Sequence, residues 1–362
     1  RKYTFLITVT LMGVATAGVG LIPSVHTIGL AAPALVIFLR ILQGLALGGE
    51  YGGAAVYVSE HSPPGKSGFY TGFIQASVIG GFVLSLAVIL MCKLFMSDAV
   101  WMEWGWRIPF LLSLLLLTIS LWMRIKLSES PVFQDMKAAG ETSANPFVES
   151  FTYPGNRKRI LIALFGIAAG LTVIAYTVMF STLSLLTGPL HMQETAAQIV
   201  VGVGMLGGTV FFVGFGSLSD RIGRKKPIVW GYILTLILLF PCFWAIGWAA
   251  QGAPTPDGTP STFVPGFPQI AVIVGAVLVL SALSGATFGP VAALLSEMFP
   301  ARIRYSSMSI PYHVGTGYFG GFLPLIATAI VARTGDPYSG LWYTWCVVLM
   351  ALLVSLWGLP SG

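Results

Sequence analysis

Ten apolar runs, each near the roughly 20 residues that a helix needs to cross the hydrocarbon of a bilayer, constrain this chain more than any other feature. They fall at about 5–23, 31–58, 67–93, 105–125, 159–187, 195–218, 227–249, 269–295, 305–332 and 339–359. A chain that spends most of its length this way has little left for a water-facing surface. Only 9% of its 362 residues are charged and 56% are hydrophobic, with a mean hydropathy of +0.85, whereas soluble domains carry about 25% charge. The 43 glycines and 22 prolines would interrupt soluble helices, but both are common in spanning helices, where close packing and local kinks are useful. The reading is an all-α, polytopic membrane protein.

The basic residues alternate in number from loop to loop. Arg1, Lys2, Lys66, Arg124, Lys126, Lys137, Arg157, Lys158, Arg159, Arg221, Arg224, Lys225, Lys226, Arg302 and Arg304 fall on one side, 15 of the 19 Lys and Arg. Lys93 and Arg333 fall on the other, and Arg40 and Arg107 lie within or at the edge of spans. By the positive-inside rule the crowded side is cytoplasmic. The net charge of +6 is therefore a topology signal and gives no indication of nucleic-acid binding. Cys92, Cys242 and Cys346 are scattered through apolar runs, which suggests neither a disulfide framework nor a metal cluster. No cofactor motif is visible, and a monomer in the cell membrane is expected.

The longest polar connection, at 128–157, holds Glu129, Asp135, Lys137, Glu141 and Glu149. It is the natural linker between an amino-terminal bundle at 1–127 and a carboxy-terminal bundle at 158–362. Short repeats relate the two. Ser59-Glu60-His61-Ser62-Pro63 leaves the second run as Ser296-Glu297-Met298-Phe299-Pro300 leaves the eighth, and Arg1-Lys2 resembles Arg224-Lys225 at the opening of a helix. The register shifts, 237 and 223, agree as a duplicated unit with unequal loops would give. The second half has two runs before its basic loop and four after it, the first half only four. The chain also opens Arg1-Lys2-Tyr3 without an initiator methionine or a cleavable signal pattern. The expectation is a twelve-helix parent of which ten helices are present and the first two are missing.

Gly216-Ser217-Leu218-Ser219-Asp220-Arg221-Ile222-Gly223-Arg224-Lys225-Lys226 resembles the cytoplasmic signature loop of the major facilitator superfamily, and Arg40-Ile41-Leu42-Gln43-Gly44 resembles its fourth-helix motif. Gln43-Gly44-Leu45-Ala46-Leu47-Gly48-Gly49-Glu50-Tyr51-Gly52-Gly53-Ala54, then Trp104-Gly105-Trp106-Arg107-Ile108-Pro109-Phe110, then Glu129-Ser130-Pro131-Val132-Phe133 are similar, in order, to the metabolite:proton symporter branch. The resemblance implies the major facilitator fold and transport of zwitterions or organic acids, such as betaine, proline, α-ketoglutarate, citrate or shikimate. One departure concerns Pro63-Pro64-Gly65-Lys66-Ser67-Gly68, where Ser67 replaces a second basic residue; this is expected to weaken a latch there.

Residue chemistry adds roles to this resemblance. Arg221 and Arg224 are three apart, a spacing that in a helical turn places both on one face. With Asp220, Gly223, Glu60 and Glu297 they form a candidate cytoplasmic gate that would stabilise one access state. The alternative is that these basic residues only anchor topology. A charge at the membrane centre costs at least about 2.5–3.5 kcal/mol, which singles out Arg40 and Glu50. At about 100° per residue, Arg40, Gln43, Leu47, Glu50 and Tyr51 share roughly a third of the helix circumference. Glu50 is the acidic residue well inside a span and the best candidate for a proton-titrating carboxylate; Arg40 would act on it only if the two approached, and about 15 Å along one helix argues against a direct pair. A salt bridge from Glu50 to a missing helix is the alternative. Gln43, Tyr51, Gln75, Arg107, Tyr176, Tyr312, His313 and Tyr318 are candidate solute contacts, with plain packing the competing reading for each. Pro311, Gly315, Gly317, Gly320, Gly321 and Pro324 would let the ninth helix unwind and expose backbone to a ligand.

The third run holds Gly80-Gly81 but no proline, whereas drug antiporters of the superfamily carry a Gly-Pro pair there. A symporter or uniporter is therefore favoured over a drug antiporter. With the proton coupling that the resemblance implies, the expectation is a proton-coupled symporter of a small metabolite, with a uniporter, an antiporter or a non-transporting sensor as alternatives. A membrane enzyme has no visible nucleophile-and-base set or metal cluster to support it.

Overall fold

The computed structural model describes residues 2–251 and 263–360; Arg1, counted above in the charge pattern and the repeat, and the side chain of Lys2 lie outside the described residues. Ten of its helices are long and apolar enough to cross a membrane: α1 Tyr3–Leu21, α2 Ala31–His61, α3 Ser67–Leu94, α4 Arg107–Ile125, α5 Asn156–Thr187, α6 Glu194–Ile222, α7 Lys225–Ala249, α8 Phe267–Met298, α9 Arg304–Thr334 and α10 Leu341–Gly358. Each coincides with one of the apolar runs. By packing, the chain divides into two compact units, Arg1–His61 with Leu84–Thr142, and Ser62–Val83 with Ser143–Gly362. The first part of α3 therefore packs with the larger unit.

In the smaller unit α1 is central and lies against α2 and α4. Small residues make that approach possible, because a Cβ on Gly13 would sit 2.6 Å from Leu117 and one on Gly18 would sit 3.3 Å from Leu39. The outward faces remain apolar, with Ile37, Phe38 and Ile41 on α2 and Leu114, Leu115 and Trp122 on α4 all exposed. Such faces suit acyl chains and would be a liability in water.

In the larger unit α8 packs against α6 and α7, and α10 against α5 and α7. Gly204 and Gly208 of α6, one turn apart, meet Val277 and Ser281 of α8, also one turn apart. A Cβ at Gly208 would lie 2.3 Å from that of Ser281. Gly208→Leu is therefore expected to lower the thermal unfolding midpoint in detergent by an overpacking cost of about 1–3 kcal/mol. Gly214→Leu, on the same helix with nothing within 4 Å of the new Cβ, should leave it unchanged.

Among the described residues four π-helical turns interrupt the α pattern: Trp101–Gly105 ahead of α4, Ala163–Ala168 and Thr177–Ser181 both within α5, and Thr316–Gly320 within α9. A wide turn shifts the backbone ladder, and such turns cluster at functional sites. Here hydroxyls from neighbouring helices reach the displaced carbonyls. Tyr232 Oη (2.8 Å) and Ser355 Oγ (2.7 Å) donate to Gly166 O, and Tyr343 Oη donates to Phe319 O (2.9 Å). The glycine- and proline-rich ninth helix is thus broken where the sequence indicated, between its π turn and Leu323.

The polar linker contains two short helices, Pro131–Ala138 and Pro146–Thr152. Each has proline in its first turn and a side-chain cap: Phe133 N–H donates to Ser130 Oγ (3.2 Å), and Val148 N–H to Asn145 Oδ1 (3.3 Å). The second is pinned within the larger unit by buried Asn156, whose Nδ2 donates to Ser150 O (2.7 Å) and Ser307 Oγ (3.0 Å). Arg302 pairs with Glu149 at 2.6 Å. The Ser143 side chain and the Arg302 guanidinium beside it hold the Glu149 carboxyl below the usual carboxylate range, against the opposing effect of burial.

Candidate functional site

The densest polar network lies where α6 ends and α3 begins. The first N–H groups of a helix have no partner within it. In α3 two of them are taken by Asp220, whose carboxylate accepts Gly68 N–H (2.8 Å) and Phe69 N–H (2.9 Å). An anion at a helix N-terminus is also favoured by the helix dipole. The two backbones nearly touch, since a Cβ on Gly68 would fall 2.3 Å from Gly216 O and one on Gly216 would fall 2.4 Å from Gly68 O. No residue but glycine fits at either position.

Arg224 joins this cap to α8. Its Nη1 donates to Asp220 Oδ1 (2.6 Å) and Ser219 Oγ (2.7 Å), and its Nη2 to Glu297 Oε1 (2.8 Å) and Ser67 Oγ (2.8 Å). Burial works against the guanidinium charge, but the hydrogen bonds of Glu297 and Asp220 outweigh it and leave Arg224 above its ordinary range. Ser67, expected to weaken this contact, is instead a member of it. Arg221 is exposed and takes no part in the Arg224 network. The reason is Gly223, whose φ of 91° breaks the helix between the two arginines, so a spacing of three no longer places them on one face. Glu60 accepts from Ser130 Oγ at the start of the linker helix, within the smaller unit.

Also in the smaller unit, Glu50 of α2 forms an ion pair with Arg124 in the last turn of α4, with side-chain exposures of 25% and 20%. Arg124 also donates to Phe5 O (3.1 Å) and lies over the Phe5 ring, 5.1 Å from its centroid. Arg40 is exposed and donates to Gln43 Oε1 (3.2 Å), while Gln43 Nε2 donates to Thr16 Oγ1 (2.8 Å). The polar stripe read from the sequence is thus engaged by α1 and α4. Tyr51 is buried. Arg107 donates to Gly20 O (3.2 Å) and Ile22 O and lies over the Trp106 ring, a cation closing the C-terminal end of α1.

The remaining candidate solute contacts lie in the larger unit. Gln75 is 1% exposed. Phe180 joins Tyr176 (ring centroids 5.3 Å) to Phe82 of α3 (5.9 Å). Tyr312 is buried with His313 edge-on to it at 5.3 Å, whereas Tyr318 is exposed. A cavity of about 230 Å³ opens beside this aromatic group, with Phe180, Ser181, Ser184, Thr328 and Leu341 in its walls.

A family model of the Major Facilitator Superfamily matches residues 1–255 and 166–361. The chain belongs to this superfamily. An inner membrane metabolite transport protein of Escherichia coli (strain K12) is 32% identical over 98% of this chain and 77% of its own length. A citrate-proton symporter of Salmonella typhi is 32% identical over 97% and 76%. The crystallised proton:xylose symporter XylE shares the fold, with a TM-score of 0.70 at 18% identity over 99% of this chain and 80% of that one. This facilitator is accordingly a multi-pass inner-membrane metabolite transporter and not an enzyme.

Several residues of the facilitator's site escaped the sequence reading. Arg124 was counted only as a topology charge, and its partner Glu50 lies 74 positions away. Gly68 enters through a contact across 152 positions, and Ser219 as a minor hydroxyl. A usable signal existed for Ser130, where Ser-Pro is a helix-start pattern.

Proposed function

We propose that this facilitator is a proton-coupled symporter that carries a small organic acid or zwitterion by alternating access. The observation that carries the reading is the Glu50–Arg124 ion pair, a titratable carboxylate and its counter-charge between two spanning helices. An ionised pair carried by spanning helices costs desolvation and marks a candidate ion or proton pathway. Protonation of Glu50 would release Arg124, and re-ionisation would recapture it, so occupancy by a proton is coupled to the packing of α2 on α4.

The Asp220–Arg224–Glu297 network supplies the second requirement, a latch that holds one access state and opens in the other. It ties the first turn of α3 to the ends of α6 and α8 with charge-assisted bonds. Within the larger unit, solute contacts are assigned to Gln75, Tyr176 and the Tyr312–His313 pair; the citrate-proton symporter relative supports an organic acid. In this reading two bundles, at 1–127 and 158–362 with the linker at 128–157, would rock during transport; by packing, the first part of α3 goes with the larger unit.

The test is uptake of labelled metabolites into proteoliposomes holding the full-length protein. An inward proton gradient is expected to drive accumulation above the outside concentration and to acidify the lumen. Binding without accumulation would identify a sensor, and equilibration without a gradient effect a uniporter.

A further inference from the structure

The start of α7 holds a second cavity, of about 220 Å³, that the transport cycle does not use. Its walls include Ile222, Lys225, Lys226, Val229, Trp230 and, from α10, Leu356. The lining combines the two ammonium-bearing side chains of Lys225 and Lys226 with the hydrocarbon and indole of Ile222, Val229, Trp230 and Leu356. Lys225 Nζ donates to Leu356 O and Leu359 O, both at 2.9 Å, which leaves the third proton of its ammonium available. Lys226 is exposed, and Trp230 is 60% exposed.

A soluble anion would use the basic rim of this cavity and leave its apolar remainder wet. A hydrocarbon chain would fill that remainder and leave the ammonium groups uncompensated. One molecule satisfies both. We propose that the cavity binds an anionic phospholipid, its phosphate between Lys225 and Lys226 and its first acyl chain along Val229, Trp230 and Leu356. The position agrees: these lysines belong to the face that concentrates Lys and Arg, where anionic headgroups attract basic side chains, and an indole sits well where headgroup meets chain. Lys225 immediately follows Arg224, so a headgroup bound here adjoins the Asp220–Arg224–Glu297 network.

The full-length protein in nanodiscs provides the test. Trp230 fluorescence, isolated as the difference between wild type and Trp230→Phe, is quenched by phosphatidylglycerol or phosphatidylcholine brominated on the acyl chains at equal mole fraction. Stronger quenching by phosphatidylglycerol is expected, and Lys226→Gln should reduce that preference roughly five-fold, the effect of one lysine near an anionic surface. Val229→Phe, which fills the apolar part while keeping both lysines, should remove the preference as well. Equal quenching by the two lipids overturns the site, as does a preference that survives both substitutions. Relief of quenching by free inorganic phosphate overturns the lipid assignment in favour of a soluble anion.

Discussion

Glu50→Gln is expected to abolish gradient-driven accumulation while sparing exchange of solute across the membrane. One proton moving down a gradient of one pH unit supplies about 1.4 kcal/mol, enough for about tenfold accumulation. A carboxamide cannot titrate near neutral pH, so the variant should equilibrate its solute and stop, and the loss grows tenfold with each added pH unit of gradient. Folding should survive. Gln keeps the size of Glu and can still accept from Arg124, which retains its bond to Phe5 O and its place over the Phe5 ring. Exchange needs no net proton movement and therefore reports on the intact solute pathway. Undiminished accumulation would remove the proton role from Glu50, and loss of exchange together with accumulation would make it a packing residue.

Asp220→Asn is the second large effect. The substitution preserves shape but removes the charge from a group that accepts two backbone N–H bonds and one from Arg224. A hydrogen bond to a charged partner contributes about 1.5–3 kcal/mol, and losing even one such increment shifts a two-state latch roughly 10- to 100-fold. The amides of Gly68 and Phe69 should then exchange with deuterated water at least about tenfold faster. Initial uptake should fall by a similar factor, with protein abundance unchanged. Unaltered exchange at those two amides would show that Asp220 is not the cap on which the latch depends.

The spans were legible because hydrocarbon thickness sets a length that any apolar run must meet, and all ten runs became helices. Asp220, Arg224 and Glu297, singled out by motif and repeat, meet in one hydrogen-bonded network. What the sequence could not reveal is pairing at a distance. Positive-inside counting weighs every basic residue alike, so Arg124 looked no different from Lys126, although one holds Glu50 and the other stacks on Trp122. Arg107, at the edge of a span, was a candidate solute contact, and a charge there carries a cost. Its cost is met by the carbonyls at the end of α1, which no local pattern announces. The π turns of α5 escaped notice as well, since the hydroxyls that reach their carbonyls come from α7 and α10.

The bare contact between Gly68 and Gly216 has a mechanical consequence. Side chains between helices act as cushions that compress, slide and change rotamer, so a joint built from them gives way by degrees. Here the two glycine backbones meet directly, with the Arg224 guanidinium and Asp220 carboxylate packed beside them. If this network is the latch of the proposed cycle, such a joint would act as a snap fastener rather than a spring, and a single added methyl group would keep it from closing.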